Sequence, residues 1–383
     1  RQIARDVAAE TFVLLKNEGN LLPLKKQGKI ALIGPLADTR NNIAGTWSVA
    51  QAPEKYTTIK EAMEKALDGK ATLLYAQGSN IWRDRELQKN GEQGKSIAWG
   101  DEVKMKNEAL QIAKEADVIV CAMGETADMS GECASRTNLE MPDMQQELLA
   151  ELAKMGKPVV LLNFAGRPTV LSWENEHIPA IMNVWFGGSE MGDALCDVIF
   201  GDKVPSGKLT TSMPKTTGQE PLYYNHQNTG RPVPDDNQKF AKFASNCMDV
   251  SNGPLYPFGY GLSYTTFEYG DLKLSSHQVN MDDWKITATI NVKNTGSRDA
   301  DEVVQLYIRD MVASISRPVK ELKGFLRIHL AAGESREISF DITSEMLKFY
   351  NAELKHVIEP GDFQIMVGGN SKEVKTQNLT VKN

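Results

Sequence analysis

Residues 117–123 read DVIVCAM, and this stretch decides the architecture of the first half of the chain. Every residue after the aspartate is apolar, which predicts a short strand buried on both faces of a sheet. Four more strands of this kind are predicted, at residues 29–34, 71–77, 158–164 and 180–186. Helical patterns accompany them, at residues 101–116, 145–154 and 191–200. Buried strands that alternate with helices predict a mostly parallel sheet covered by helices on both faces.

The first residues of the chain are also predicted to be helical. The residues that recur at the spacing of one helix face are Ile3, Val7, Thr11, Leu14 and Leu15. A chain that opens inside a helix, without a starting Met or a signal peptide, is expected to have been cut from a longer protein. The missing signal peptide therefore says nothing about the compartment of the full protein.

The pattern changes beyond residue 214. Residues 215–268 lack clear periodicity and are predicted to be a connector that runs over the surface of both domains. From residue 269 the period is two, as in residues 285–293 (KITATINVK), where alternate residues are apolar. Turn signals separate these stretches, at residues 294–296, 332–334 and 360–362. The alternation predicts a small antiparallel β-sandwich over residues 269–383.

The composition of the 383 residues excludes several classes of protein. Lys and Arg number 43 against 50 Asp and Glu, and no basic stripe is present, so nucleic-acid binding is not expected. No apolar run reaches the roughly 18 residues that a membrane helix needs. The four cysteines form no C-x-x-C pair and the five histidines are scattered, so no zinc site is predicted. No glycine fingerprint follows the first strand, and no cofactor is predicted.

Four motifs, spaced along the chain, carry a resemblance to a known family. They are residues 14–24 (LLKNEGNLLPL), 187–214 (GGSEMGDALCDVIFGDKVPSGKLTTSMP), 255–267 (LYPFGYGLSYTTF) and 317–326 (RPVKELKGFL). Together they resemble glycoside hydrolase family 3, and residues 30–48 (IALIGPLADTRNNIAGTWS) are similar to its bacterial, periplasmic β-glucosidase branch. The resemblance implies an α/β-sandwich domain over residues 1–214, with a mostly parallel sheet. It also implies an all-β fibronectin type III-like sandwich over residues 269–383.

The resemblance further implies that the chain is part of an enzyme. Members of the family usually carry an upstream (β/α)₈ barrel, which holds the nucleophilic aspartate, so this chain alone is expected to be inactive. The implied activity is that of a retaining, exo-acting β-glucosidase that removes terminal β-linked glucose from a β-glucoside or oligosaccharide. A periplasmic or secreted location is implied as well. A β-xylosidase or β-N-acetylglucosaminidase of the same family, or a carbohydrate-binding fragment without catalysis, remain alternatives.

The loop after residues 117–123 is the best location for a catalytic carboxyl group. Retaining glycoside hydrolysis needs two carboxyl groups about 5–5.5 Å apart, one as nucleophile and one as acid/base. Glu132 resembles the acid/base glutamate of the family, which precedes a Ser-Arg pair by a few residues. Its alternative is an exposed loop glutamate without a role. Glu125, directly after the strand, is the rival and is interpreted as a structural or hydrogen-bonding residue.

Two further residues are candidates for substrate binding. Arg136 could orient Glu132 or donate to a sugar hydroxyl, and its alternative is an ion pair with Asp128 or Glu140 that anchors the loop. Trp47, in the loop after residues 29–34, could stack on the apolar face of a sugar on the leaving-group side. The alternative is a tryptophan that packs on its own domain.

Overall fold

The computed structural model describes residues 1–91, 94–233, 236–237 and 240–383. The chain divides into two compact units. The first comprises Arg1–Gly207, Pro214–Thr217 and Gly261–Tyr264, and the second comprises Lys208–Met213, Gly218–Tyr260 and Thr265–Asn383. The domain boundaries at residues 214 and 268 stay predictions.

A six-stranded sheet forms the centre of the first unit within the described residues. Its strands are β1 (Val13–Asn17), β2 (Lys29–Ile33), β3 (Thr72–Ala76), β4 (Val118–Gly124), β5 (Val159–Phe164) and β6 (Ala180–Asn183). They lie in the order β1-β6-β5-β4-β2-β3. Only the pairing of β1 with β6 is antiparallel among these strands, and the other four pairings are parallel. The expected mostly parallel α/β sheet is therefore confirmed.

Helices surround this sheet. They are α1 (Gln2–Thr11), α2 (Ile59–Leu67), α3 (Arg85–Asn90), α4 (Glu102–Glu115), α5 (Asp143–Ala153), α6 (Ser172–His177) and α7 (Met191–Ile199). Helix α2 begins at a capping box, in which Thr58 and Glu61 each bond the other's backbone N–H. Asp101 caps α4 in a similar way by accepting from the N–H of Lys104 at 2.8 Å.

The N-terminal segment differs from its prediction. Helix α1 ends at Thr11, and the next residues form the edge strand β1, in which Leu14 and Leu15 are fully buried. Ile3 and Val7 are 80% and 55% exposed, so the predicted apolar face of the helix is not its buried face. The physical reason is that Phe12 has an extended backbone and the chain pairs with β6 from Val13 onward. This pairing outweighs the helical spacing of the leucines.

The C-terminal region of the chain forms a β-sandwich in the second unit. Its elements are β7 (Phe267–Tyr269), β8 (Lys273–Leu274), β9 (Gln278–Asn280), β10 (Lys285–Asn294), β11 (Ala300–Asp310), β12 (Glu321–Leu330), β13 (Ser335–Thr343), α8 (Ser344–Leu347), β14 (Phe349–Tyr350), β15 (His356–Val357), β16 (Gly361–Gly368) and β17 (Val374–Lys382). One sheet has the order β13-β10-β7, with β8 also on β10, and the other has the order β12-β11-β16-β17-β9.

The core of this sandwich confirms the predicted alternation. In β10 the residues that face the core are Ile286, Ala288, Ile290 and Val292. They pack with buried residues of the opposite sheet, among them Leu306 and Val367. Strands with one buried and one exposed face are what a period of two predicts. Across the described part of the chain, no helix combines the length and the apolar character needed to span a membrane.

Candidate active site

Loops from three strands meet at the carboxyl end of the parallel sheet in the first unit. They follow β2, β4 and β6. The backbone N–H of Ala127 donates to Oδ1 of the buried Asn42 at 3.1 Å, which joins the loop after β4 to the loop after β2. The N–H of Gly188 donates to the carbonyl of Ile43 at 2.7 Å, which joins the loop after β6 to the same segment. Ligands of α/β sheets usually bind at this end, so these loops form the candidate site.

The segments that carry Glu132 and Trp47 contact each other. A β-carbon on Gly131 would overlap Cγ2 of Thr46, and Gly131 has a φ of +104°, which favours glycine. Glu132 is exposed, and its carboxylate makes no hydrogen bond or ion pair with the described residues. Trp47 is 72% exposed. The structure therefore brings the two predicted residues onto neighbouring segments, with both side chains accessible.

Glu125 is buried beneath this surface, with only 1% of its side chain exposed. One carboxylate oxygen, Oε1, lies 2.8 Å from Nη1 of Arg136 and 3.1 Å from Nε of Arg167. The other, Oε2, accepts from the N–H of Gly166 at 3.3 Å. Its own N–H donates to the carbonyl of Phe164 at 2.8 Å. Glu125 thus joins the loop after β4 to the loop after β5, which agrees with its interpretation as a structural, hydrogen-bonding residue.

Arg136 is largely buried, and its ion-pair partner is neither of the two expected carboxylates. Besides the carboxylate of Glu125, it bonds the backbone carbonyl of Glu140 through Nη2 at 2.8 Å. Its guanidinium carbon lies 5.2 Å from the ring centre of Trp82. The carboxylate of Asp128 accepts from the N–H of Gly94 at 2.8 Å. The anchoring alternative is therefore present in the geometry, with Glu125 as the ion-pair partner, and the role of Arg136 in substrate binding stays a prediction.

Arg167 is a residue of this site that the sequence reasoning missed. Its Nη2 donates to the carbonyl of Met129 and, at 2.6 Å, to the carbonyl of Ala134. These two carbonyls flank Glu132 on either side. Its position in the sequence is the signal that could have found it, because Arg167 lies in the loop directly after β5, at the same end of the sheet.

A second buried glutamate lies on α6 of the same unit. Glu174 is 2% exposed and makes no ion pair with the described residues. Burial raises its pKa from 4.5 to about 7, with the nearby Glu140 contributing in the same direction. His177, one turn further along the helix, opposes this change.

A cavity of about 680 Å³ lies within the second unit. Its lining includes Tyr223, Tyr224, Arg309 and Lys320, and none of the residues predicted to act on substrate. Within the described ranges, no group of His, Cys, Asp or Glu side chains is arranged to hold a metal ion.

Comparison with known families identifies the class of protein to which this fold and loop arrangement correspond. Residues 12–264 match the glycosyl hydrolase family 3 C-terminal domain, and residues 302–371 match a fibronectin type III-like domain. Because the first match covers more than half of the chain, the chain belongs to glycosyl hydrolase family 3.

Individual relatives agree with this family. The chain is 46% identical over 378 residues to a periplasmic β-glucosidase of Salmonella typhimurium, covering 98% of this chain and 49% of that protein. It is 37% identical to a β-xylosidase of Formosa agariphila, covering all of this chain and 50% of that protein. A crystal structure of a β-glucosidase from Listeria innocua in complex with isofagomine superposes with a TM-score of 0.88 at 35% identity, over all of this chain and 50% of that one. The chain spans about half the length of these relatives.

Proposed function

We propose that this chain forms part of a retaining, exo-acting β-glucosidase that removes terminal β-linked glucose. In this proposal the chain supplies the acid/base carboxyl group, Glu132, and the leaving-group side of the site. The nucleophile is an aspartate on an upstream (β/α)₈ barrel. The observation that carries the proposal is an exposed carboxylate without a protein partner, at the carboxyl end of the sheet of a family 3 domain. The name of the Salmonella relative supports a periplasmic or secreted location.

The chemistry assigns two successive tasks to Glu132. The protonated carboxyl first donates its proton to the glycosidic oxygen while the bond from that oxygen to the anomeric carbon breaks. In the same step the aspartate carboxylate bonds to the anomeric carbon. The Glu132 carboxylate then takes a proton from water, the water oxygen bonds to the anomeric carbon, and the aspartate is released. A side chain that exchanges protons with both leaving group and water has to be accessible, as Glu132 is.

The contrast between the two loop glutamates supports Glu132 over Glu125. Both oxygens of Glu125 already accept from or pair with Arg136, Arg167 and the N–H of Gly166. A carboxylate held in this way is poorly placed to approach a glycosidic oxygen. We therefore assign Glu125 to holding the loop and Glu132 to the reaction.

Trp47 is proposed to form the platform for the leaving-group sugar. Its ring is mostly exposed, and its segment contacts the segment of Glu132 through Thr46 and Gly131. Apolar C–H faces of sugars pack well on aromatic rings. Arg136 stays a proposed substrate-binding residue that orients Glu132 or donates to a sugar hydroxyl. Its bonds to the carboxylate of Glu125 and the carbonyl of Glu140 favour the alternative, in which it anchors the loop.

A β-xylosidase is the second candidate, because the Formosa relative with that name matches the whole chain. The family resemblance implies that the upstream barrel supplies most contacts to the sugar that is cleaved off. Assay of the full-length protein on paired aryl β-glucosides and aryl β-xylosides distinguishes the two. A β-N-acetylglucosaminidase or a carbohydrate-binding protein without hydrolysis would be recognised in the same assay, by turnover of the corresponding aryl glycoside or by no turnover.

The test of the acid/base assignment is Glu132→Gln in the full-length protein. Hydrolysis of substrates with poor leaving groups should slow by about 10²–10⁴-fold, the usual range for general acid–base catalysis. Formation of the glycosyl-enzyme from activated aryl glucosides should lose less, because such leaving groups need little protonation. Azide, which needs no deprotonation before it attacks, should restore turnover of the activated substrates.

The matched control is Glu140→Gln, which removes another exposed carboxylate of the same loop. It should leave both substrate types near the unmodified rate. The 383 residues assayed without an upstream barrel should not hydrolyse either substrate. Equal losses on both substrate types in Glu132→Gln, or no loss, would contradict the assignment.

A further inference from the structure

Residues 129–134, which carry Glu132, have an irregular backbone. Gly131 has a φ of +104° and Cys133 a φ of +59°, so Glu132 lies between two residues with positive φ. For a residue with a β-carbon, such as Cys133, this region is sterically unfavourable. Backbone of this kind persists only where surrounding contacts define it.

One side chain bonds both ends of this segment. Nη2 of Arg167 bonds the carbonyl of Met129 before the irregular turn and the carbonyl of Ala134 after it. Nε of the same guanidinium lies 3.1 Å from the carboxylate of Glu125. The planar, rigid fork of a guanidinium suits a bridge between several acceptors at fixed positions.

The base of this bridge is itself anchored in the sheet. Glu125 directly follows β4, and its N–H and Oε2 both contact the chain at the end of β5, through Phe164 and Gly166. A β-carbon on Gly166 would overlap Oγ of Ser130, so the loop after β5 lies directly against the segment of Glu132. Residues 129–134 are therefore held in position by contacts to the ends of two neighbouring strands, β4 and β5.

We propose that Arg167 is a positioning residue for the acid/base glutamate. It holds the two ends of residues 129–134 at a fixed separation and so sets where the Glu132 carboxyl group lies. This inference rests on the proposed function of Glu132. Arg167 acts through the backbone and does not touch the substrate.

Arg167→Lys in the full-length protein tests the proposal. A lysine keeps a positive charge beside Glu125, so folding should be retained. Because it carries its donors on a single nitrogen, it cannot reproduce the fork of the guanidinium, and the bridge should be lost. The ratio of kcat/KM for an activated dinitrophenyl glucoside to that for a poor alkyl leaving group should rise by at least about tenfold, within the range of a misplaced general acid. Arg167→Ala should show the same rise with a lower unfolding temperature.

A double variant distinguishes a loss of positioning from a general destabilisation of the fold. In the Glu132→Gln background, Arg167→Lys should change that ratio by less than about twofold, because residues that act as one unit have non-additive effects. The matched control is Arg5→Ala, which removes a half-buried arginine that pairs with Asp197 on α7. It should lower the unfolding temperature without changing the ratio.

The outcomes distinguish this inference from the function on which it rests. A ratio that responds to Glu132→Gln but not to Arg167→Lys would overturn the positioning role alone. Full additivity of the two substitutions would also overturn it. A ratio that does not respond to Glu132→Gln would overturn the acid/base assignment, and the positioning role with it.

Discussion

Two buried glutamates of the first unit, Glu125 and Glu174, are accommodated in different ways. Glu125, at the carboxyl end of the sheet, lies against the guanidinium groups of Arg136 and Arg167. Glu174, on α6, makes no ion pair with the described residues, and burial raises its pKa to about 7. A buried carboxyl group is thus tolerated either beside cations or by binding a proton. Only the first arrangement also ties separate loops together.

The largest effect is expected from removing the paired carboxylate. Glu125→Gln leaves two largely buried guanidinium groups without their counter-charge and should destabilise the full-length protein by about 3–5 kcal/mol. It should also misplace residues 129–134, so that hydrolysis of substrates with poor leaving groups slows more than hydrolysis of activated substrates. Chemical denaturation and the two substrate types measure these effects.

The control for this variant is Glu140→Gln, whose exposed carboxylate should contribute within about 0.5 kcal/mol. An unfolding midpoint for Glu125→Gln equal to that of the unmodified protein would mean that the ion pairs do not hold the loops.

A smaller, pH-dependent effect is expected at Glu174. Its folded pKa of about 7 lies above its ordinary value of 4.5, so the folded state binds the proton more tightly. The associated stability is complete below about pH 4.5 and is lost as pH rises through about 7, for a total of about 3 kcal/mol. Glu174→Gln, which stays neutral, should match the unmodified protein at pH 4 and be more stable at pH 8, as followed by unfolding midpoints across this range.

Glu176→Gln serves as the matched control, since Glu176 lies on the same helix but is exposed. It should leave the pH dependence unchanged. If Glu174→Gln shows the same decline in stability between pH 5 and pH 8 as the unmodified protein, the buried carboxyl group is not its cause.

The smallest effect on stability is expected at Trp47, an exposed residue of the loop after β2. Trp47→Ala should change the free energy of unfolding by less than about 0.5 kcal/mol. It should raise KM for disaccharides about fivefold more than KM for aryl monoglucosides, the equivalent of about 1 kcal/mol of ring contact. Steady-state kinetics on the two substrate types measures the difference.

Val49→Ala is the companion variant, because Val49 is an almost fully exposed residue of the same loop. It should leave both KM values unchanged. A lower unfolding midpoint for Trp47→Ala with unchanged kinetics would favour the packing alternative.

The sheet could be predicted from sequence because its central strands are continuous apolar runs. Residues 117–123 and 158–164 correspond to β4 and β5, and the loop at the end of β4 contains Glu125 and Glu132 as expected. Strand β1 could not be predicted, because Leu14 and Leu15 fit the helical spacing of the preceding residues equally well. Its strand conformation depends on pairing with β6, more than 160 residues away.

The site illustrates the same limit at the level of side chains. Glu132 could be located from its position after a strand and from the family resemblance. The bonds of Arg167 could not, because their acceptors are the backbone carbonyls of Met129 and Ala134, and a carbonyl has no signature in sequence. The partner of Arg136 was missed for a related reason. Glu125 is eleven residues away in sequence, whereas the expected partners were nearer.

The contact between Gly131 and Thr46 has a consequence for evolution and for protein engineering. A side chain at position 131 would overlap Cγ2 of Thr46, so it could be accepted only if that side chain or its segment moved. We therefore expect the loop after β2 and the loop after β4 to constrain each other's sequence. A loop graft that adds a side chain at position 131 should be accepted more readily when residue 46 is made smaller at the same time.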